Sequence, residues 1–306
     1  MRFSGHESFA CRYAWLPKAY REIIEDPAAF ADEERAMVSL GVGKNMVRSI
    51  RFWVEVMGVA TPEPNRTLLP TSFGRAVFAE DGFDPFLEDT RTLWLLHWNV
   101  ATRIDNPLFA WDFLLYSWPY GELTRSEALA GLIREARRLS VPHSVVTLGI
   151  HLDVFLHTYI PTRTAKGGLE QSLDSPLAEL ELFHQVGERR ADGSGRREPV
   201  YAFRREAKPE VTTALFEYCL DDYWRRHRAG EATLAYRDVA TAPRSIGQVF
   251  KLPEDDVRCR LDTYALTGSP VPFGYQPSAV QGLVFRRDNG VHDFLAAVYA
   301  EELTSG

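Results

Sequence analysis

The sequence predicts a mainly α-helical protein with small β-hairpins, which belongs to the α+β class. Three observations support this prediction. Apolar residues recur at helical spacing, Ser, Thr and Asp residues stand where helices would begin, and short extended runs lie between turn-forming residues. With 306 residues, the chain is long enough for two or three packed domains. We expect three sections, at residues 1–120, 121–230 and 231–306.

The clearest unit covers residues 32–78. Asp32 is suited to cap a short helix that Gly41 ends, and a second helix is predicted from about Lys44 to Met57. A turn-rich segment, a short extended run and a helix capped by Thr71 or its neighbour follow. The order helix, turn, helix, hairpin, helix is typical of a winged-helix unit built on a helix-turn-helix.

The second helix of this unit carries cations away from its apolar face. Such a helix suits the major groove of DNA, because one side packs on the protein and the other meets phosphates and bases. A solvated surface face is the alternative. The DNA contacts expected from this unit are Lys44, Asn45, Arg48, Arg51 and Arg75.

A similar plan recurs in the middle section. Thr124 and Glu127 form the pattern of a capping box at the start of a helix, and Ser144 is suited to start another. Segments 182–187 and 200–203 are predicted to pair as a hairpin with a Gly-rich tip. This tip resembles a wing that grips phosphates, with a plain mobile loop as the alternative. The arginines concerned are Arg189, Arg190, Arg196 and Arg197.

A third winged-helix-like unit is predicted over residues 234–285. Pro253 suits the start of a helix, and segments 273–275 and 283–285 are expected to pair as its hairpin. The stretch 162–176 has the composition of a linker between domains.

Composition narrows the class of protein further. The formal net charge of −7 argues against non-specific coating of DNA, although it allows a local basic surface. No apolar run approaches the length that spans a bilayer, so no membrane association is expected. Three widely spaced cysteines form no disulfide framework or zinc motif. A cytoplasmic location is the natural expectation.

The N-terminal stretch has an unusual mixture of polar and aromatic residues. His6 and Glu7 could serve as general base and magnesium ligand, and Arg12 and Lys18 could face a phosphate. The alternative is a packed arm whose polar groups are hydrogen-bonded internally. From physical chemistry alone, the packed arm is the stronger reading.

Three stretches of the chain resemble a bacterial family encoded beside DNA phosphorothioation genes. They are Gly5-His6-Glu7-Ser8-Phe9 with Arg12-Tyr13 and Trp15-Leu16-Pro17-Lys18, the run from Leu40 to Trp53, and Leu87-Glu88-Asp89 with Thr92 to Trp98. Ala10 stands where the family pattern usually has Pro. The resemblance covers nearly the whole chain and is to the DNA-nicking component of single-strand, Ssp-type phosphorothioation systems.

The resemblance implies a Mg²⁺-dependent nick in one strand of double-stranded DNA, before sulfur is inserted. It implies a cysteine desulfurase, an ATP-dependent sulfurtransferase and an ATPase as partners. It assigns no catalytic residue, so His6, Glu7, Arg12 and Lys18 are predicted from their density in the family signature, with Glu7 as the metal ligand. A homodimer would suit a DNA-binding protein. A DNA-binding scaffold without chemistry and a protein-interaction adaptor remain open as alternatives.

Overall fold

The computed structural model describes residues 1–141, 143–161, 175–190, 195, 197–265, 272–278, 280–287 and 292–301. Helices dominate the described residues and the strands form small antiparallel sheets, so the predicted α+β class is confirmed. The chain divides into two compact units, residues 1–203 and 204–306. The division into three domains stays a prediction. The predicted linker lies outside the described residues except for Ser175 and Pro176.

The first unit holds the elements on which the predicted site residues lie. Its helices are α1 (Trp15–Glu25), α2 (Glu33–Leu40), α3 (Lys44–Val56), α4 (Ser72–Phe78), α5 (Thr90–Ala101), α6 (Phe109–Asp112), α7 (Arg125–Arg138) and α8 (Val145–Tyr159). Its strands are β1 (Ala60–Pro62), β2 (Leu68–Pro70), β3 (Glu122–Leu123), β4 (Phe183–Arg190) and β5 (Arg197–Phe203). Strands β1 and β2 pair with each other, and the second sheet has the order β3-β5-β4.

Side-chain caps define the helix starts that the sequence predicts. The Asp32 side chain accepts hydrogen bonds from the first turn of α2, and Gly41 ends that helix with a φ of 67°. Thr71 caps α4 in the same way. The predicted order of helix, turn, helix, hairpin and helix over residues 32–78 is present. Its assignment as a winged-helix unit stays a prediction.

The inner face of α3 forms much of the core around these elements. Val47, Ile50, Trp53 and Val54 are buried, and α3 packs against both α1 and α2. Burying each such side chain contributes roughly 1.5–3 kcal/mol. Met46, beside Val47 on the same helix, is only half-buried.

The hairpin of β4 and β5 projects from the second sheet. Its register pairs Phe183 with Phe203 at the base and Arg190 with Arg197 near the tip, with a bulge between Gln185 and Gly187. Seven of the eight β4 residues are exposed, so both faces of this strand meet solvent. The predicted hairpin and the capping box that begins α7 are confirmed.

The second unit repeats the combination of short helices with a three-stranded sheet. Its elements are α9 (Thr213–His227), β6 (Thr233–Ala235), α10 (Tyr236–Ala240), α11 (Ile246–Phe250), α12 (Glu254–Thr263), β7 (Phe273–Gln276), β8 (Leu283–Arg286) and α13 (Phe294–Ala300). The strands have the order β6-β8-β7, which confirms the predicted pairing of the last two. Across the described residues of both units, no helix has the length and apolar character to cross a membrane.

Candidate functional site

The segment before α1, residues 1–14, packs on the first unit as an arm. The Arg2 N–H donates to the Pro107 carbonyl oxygen at 2.8 Å, and the Arg2 carbonyl oxygen accepts from the Phe109 N–H at 3.0 Å. The Arg2 guanidinium reaches Glu55 on α3, with 2.8 Å between Nη1 and Oε1. Backbone and side chain therefore fix the start of the arm, as the packed-arm interpretation expects.

His6 connects the arm to α8 through a buried pair of imidazoles. Its Nε2 lies 2.9 Å from the Nδ1 of His151, and the Ala110 N–H donates to the Nε2 of His151 at 3.0 Å. Since that nitrogen accepts, we assign the proton of neutral His151 to Nδ1, which donates to His6. The proton of neutral His6 then sits on Nδ1. The Ser8 nitrogen lies 3.3 Å from this Nδ1. Because Nδ1 carries the proton, it has no lone pair to accept a full hydrogen bond from the Ser8 N–H.

Burial keeps both rings neutral. The pKa of His6 is lowered to about 4, mainly by burial and further by the charge of Arg2. Burial also lowers the pKa of His151, with smaller effects from His6 and His143. The His6 ring is 2% exposed, so it presents no face to a DNA phosphate. This geometry supports a structural role for His6, and its predicted role as general base remains without support.

The turn that carries Glu7 has a strained backbone, with positive φ angles at several residues. Gly5 has a φ of 110°, and a β-carbon there would lie 2.8 Å from Cδ2 of Phe52. Glu7 and Ser8 also have positive φ angles, of 48° and 66°. Left-handed backbone costs non-glycine residues free energy and is maintained by the surrounding packing. The half-exposed Glu7 side chain is therefore displayed from a fixed turn.

The four residues predicted to carry chemistry do not form one cluster. Arg12 lies over the Trp15 ring at 5.4 Å, and Lys18 is exposed on α1. Glu7 is close enough to Arg48 of α3 to act on it electrostatically. The pKa of Arg48 is raised mainly by its hydrogen bond to Glu33 and, less strongly, by the charge of Glu7. Within the described residues, no hydrogen bond, ion pair or ring contact joins any two of the four. They are His6, Glu7, Arg12 and Lys18.

The side chains around Glu7 do not fit a metal ion held by the protein alone. No three His, Cys, Asp or Glu side chains converge on a common point in the described part of the chain. Glu7 supplies one carboxylate, and the neighbouring His6 is buried with its Nε2 turned to His151. Mg²⁺ prefers several oxygen ligands, so no step of a reaction is assigned to a metal here.

The start of α3 presents two exposed cations that share one carboxylate. The Nζ of Lys44 lies 3.1 Å from Oε2 of Glu33, and the Nε of Arg48 lies 2.7 Å from Oε1. Hydrogen bonds from Arg48 and Lys44 lower the pKa of Glu33 to about 2. The side chains of Lys44 and Arg48 are 58% and 44% exposed. Glu33 therefore occupies a position between two cations that an anionic phosphate oxygen could also occupy.

The other cations predicted on this unit differ in their surroundings. The Nη1 of Arg51 donates to the carbonyl oxygens of Arg66 at 2.7 Å and Phe30 at 3.4 Å. Arg51 thus supports the loop between β1 and β2, and burial lowers its pKa. Asn45 and Arg75 are exposed. Arg51 is engaged in holding the fold, whereas Asn45 and Arg75 remain accessible to a partner.

The arginines of the hairpin also differ in whether other residues of the protein engage their side chains. Arg189 bridges two carboxylates, Glu122 at 2.9 Å and Glu127 at 2.7 Å. Arg190 is exposed, and Arg197 lies opposite it and 3.7 Å from Glu188. Arg196 lies outside the described residues. Of the described arginines of the hairpin, Arg190 alone forms no ion pair with another described residue.

Several structural partners of these residues carry no signal in the sequence. His151 is 145 residues from His6, and Glu55 is 53 residues from Arg2. Periodicity reports which face of a helix is buried, but it does not report what lies against that face. The ion pairs of Glu33 follow from the turn between α2 and α3. They could have been anticipated only once the angle between the helices was known.

Comparison with known proteins relates most of the chain to one family. The family model described as a protein of unknown function, DUF4007, matches residues 3–289. A magnesium ion-bound SspB crystal structure and a second SspB crystal structure each align with a TM-score of 0.77 and 28% sequence identity. Each alignment covers 92% of this chain and 82% of the SspB chain. The curated proteins include no match. The chain is thus an SspB-like protein and a member of the DUF4007 family.

Proposed function

We propose that this protein nicks one strand of DNA within an Ssp-type phosphorothioation system. The observation that carries the proposal is the likeness to SspB over 92% of the chain at a TM-score of 0.77. The family signature in the N-terminal arm, α3 and α5 supports the same assignment. The proposal has two parts: the protein acts in the modification system, and its specific activity there is cleavage of one DNA strand.

Exposed cations at two sites support DNA binding. Lys44 and Arg48 flank a single carboxylate at the start of α3, and Arg190 and Arg197 face each other on the hairpin. A phosphate that displaces the Glu33 side chain would gain charge-assisted hydrogen bonds from Lys44 and Arg48. The proposed DNA-binding set is completed by Asn45, Arg75, Arg189 and Arg196. Arg51 supports this set indirectly, because it holds the loop between β1 and β2.

Glu7 and Arg12 on the N-terminal arm and Lys18 on α1 are the proposed chemical residues, and His6 fixes the turn that displays Glu7. Mg²⁺ is proposed as the cofactor because one of the similar SspB structures is magnesium ion-bound. Glu7 alone does not hold such an ion. We therefore propose that nicking requires Mg²⁺, with Glu7 as one of its ligands.

The proposed partners follow from the modification system. They are double-stranded DNA, a cysteine desulfurase, an ATP-dependent sulfurtransferase and an ATPase, with a second copy of this chain as a further proposal. A cytoplasmic location accords with these partners.

A nicking assay on supercoiled plasmid tests the proposal. With Mg²⁺ we expect conversion to open circles, and with EDTA we expect none. Glu7→Gln should slow conversion by roughly 100-fold, the scale at which removal of a charge-stabilising group slows a reaction. Glu25→Gln, on the exposed surface of α1, is the matched control and should nick like the wild type. Equal rates for the two variants would remove Glu7 from the proposal.

A DNA-binding scaffold without chemistry is the second candidate. The packing of His6 against His151 favours it, since a central residue of the family signature is then structural. This candidate predicts salt-sensitive plasmid binding with no nick under any divalent metal. A protein-interaction adaptor, in contrast, predicts no salt-sensitive DNA binding.

A further inference from the structure

A cleft of about 850 Å³ opens on the first unit beside α7. Its volume lies in the range of sites that bind small molecules or single nucleotides. None of the residues proposed above for chemistry lines it, and of the proposed DNA-binding residues only Arg189 does. The lining side chains that matter are Trp118, Tyr120, Glu122, Glu127, Arg134 and Arg189.

Trp118 forms a rigid base for the cleft. Its Nε1 donates to the Glu122 carbonyl oxygen at 3.1 Å, and its ring meets Phe113 edge to face at 5.8 Å. A β-carbon on Gly131 would lie 2.7 Å from Cζ3 of Trp118, so the indole packs directly on the backbone of α7. Three contacts on different sides of the ring therefore fix its position.

Tyr120 stands on this base with its ring open to solvent. The ring centroids of Trp118 and Tyr120 are 5.3 Å apart and the planes cross at 73°. Tyr120 is 62% exposed, and no described residue forms a hydrogen bond with its hydroxyl group. Exposing a large aromatic ring to water is unfavourable, so a ring held in this way is suited to contact a flat apolar ligand.

The charges around the two rings suit a ligand with one anionic group. Arg189 occupies both carboxylates of the cleft, Glu122 and Glu127. Arg134 is exposed and has no ion-pair partner among the described residues. Arg137 lies one helical turn further along α7 and is likewise exposed without a described partner. The cleft thus combines exposed aromatic rings with one guanidinium, that of Arg134, which pairs with no described carboxylate.

We propose that this cleft binds an unpaired nucleobase, which stacks on Tyr120 while its phosphate contacts Arg134. Single-stranded nucleic acid is commonly bound by aromatic rings beside basic side chains, because each base has a flat face and each nucleotide carries a phosphate. The inference rests on the proposed function, since a nick leaves strand ends whose terminal bases can unpair. It adds a single-strand subsite distinct from the start of α3.

Binding of a fluorescein-labelled twelve-residue thymidine strand and of a fully paired duplex tests this subsite. Tyr120→Ala should weaken single-strand binding by roughly five- to 100-fold, the range that base stacking on an aromatic ring contributes. Arg134→Ala should weaken it as well, and both variants should bind duplex like the wild type. Tyr120→Phe keeps the ring and should bind normally. Phe86→Ala removes an equally exposed ring outside the cleft and serves as the matched control.

Crosslinking locates the base independently of affinity. A strand containing 5-iodouracil should, on irradiation, attach to the peptide that contains Trp118 and Tyr120. Normal single-strand binding by Tyr120→Ala, or crosslinks only at α3, would overturn the subsite and leave the nickase proposal standing. Wild-type protein that binds neither strand form would overturn both.

Discussion

The Nε2 of His6 lies 2.9 Å from the Nδ1 of His151, so a hydrogen bond between two neutral imidazoles joins the N-terminal arm to α8. The backbone of α6 completes this chain, because the Ala110 N–H donates to the far nitrogen of His151. A second proton on His151 would face that N–H. The pair is therefore compatible with the folded state only when His151 is neutral.

This pair predicts that stability falls in mild acid. The pKa of His6 is lowered from 6.5 to about 4 in the folded state, so the unfolded chain binds more protons between these values. Stability is then fully present above pH 6.5 and decreases as the pH falls towards 4. We expect a loss on the order of 2 kcal/mol at pH 5 relative to pH 7.5 from His6. Thermal unfolding across this range measures it.

His6→Gln isolates the contribution of the pair. The variant should have a lower Tm at pH 7.5 and a shallower dependence on pH than the wild type. His157→Gln replaces an exposed histidine on α8, the helix that carries His151, and should change neither quantity. A pH profile for His6→Gln parallel to that of the wild type would assign the acid sensitivity to other groups.

Glu33 is predicted to oppose DNA binding. Glu33→Gln should raise duplex affinity, because it releases Lys44 and Arg48 from their shared carboxylate. Each additional phosphate contact steepens the slope of log affinity against log salt by about 0.9. Glu34→Gln removes the same charge one residue away, where no described residue pairs with it, and is the control. Equal gains for both variants would indicate only a general charge effect.

Arg51 is predicted to stabilise the fold more than it binds DNA. Arg51→Ala removes donors to the Arg66 and Phe30 carbonyl oxygens and should lower the free energy of unfolding by about 1–2 kcal/mol. Arg48→Ala removes an exposed guanidinium from the same helix and should leave stability within about 0.5 kcal/mol while reducing DNA affinity. Denaturant unfolding and duplex titration of both variants separate the roles. Equal stability of the two would contradict the assignment.

Gly5 is predicted to stabilise the turn that displays Glu7. Gly5→Ala combines a φ of 110° with a β-carbon 2.8 Å from Phe52, so it should destabilise the first unit by roughly 1–3 kcal/mol. Gly187→Ala introduces a methyl group into open space on β4 and should have little effect. The difference in Tm between these variants measures the strain. A negligible difference would mean that the arm adjusts without cost.

The sequence predicts local structure well where a few neighbouring residues determine it. Asp32, Gly41 and Thr71 define helix ends through contacts within four residues, so their roles were visible without a structure. The candidate site depends on contacts between distant segments, such as His6 with His151. Spacing gives the positions of cations but not the groups that meet them, so it does not show that Arg51 donates to carbonyl oxygens or that Arg189 bridges two carboxylates.

The pairing of Arg190 with Arg197 gives the last prediction, in which stability and binding change in opposite directions. Like charges directly across an antiparallel pair are destabilising, so Arg190→Glu should stabilise the hairpin by about 0.2–1 kcal/mol. The same change should weaken DNA binding and flatten its salt dependence, because it removes one cation from the tip and adds an anion. Arg190→Gln is the neutral control and should lie between wild type and Arg190→Glu in both measurements. If the hairpin keeps this repulsion because both arginines bind DNA, then Arg190→Glu should raise stability and lower DNA affinity. If Arg190→Glu stabilises the protein and leaves duplex affinity unchanged, the hairpin does not contact phosphates.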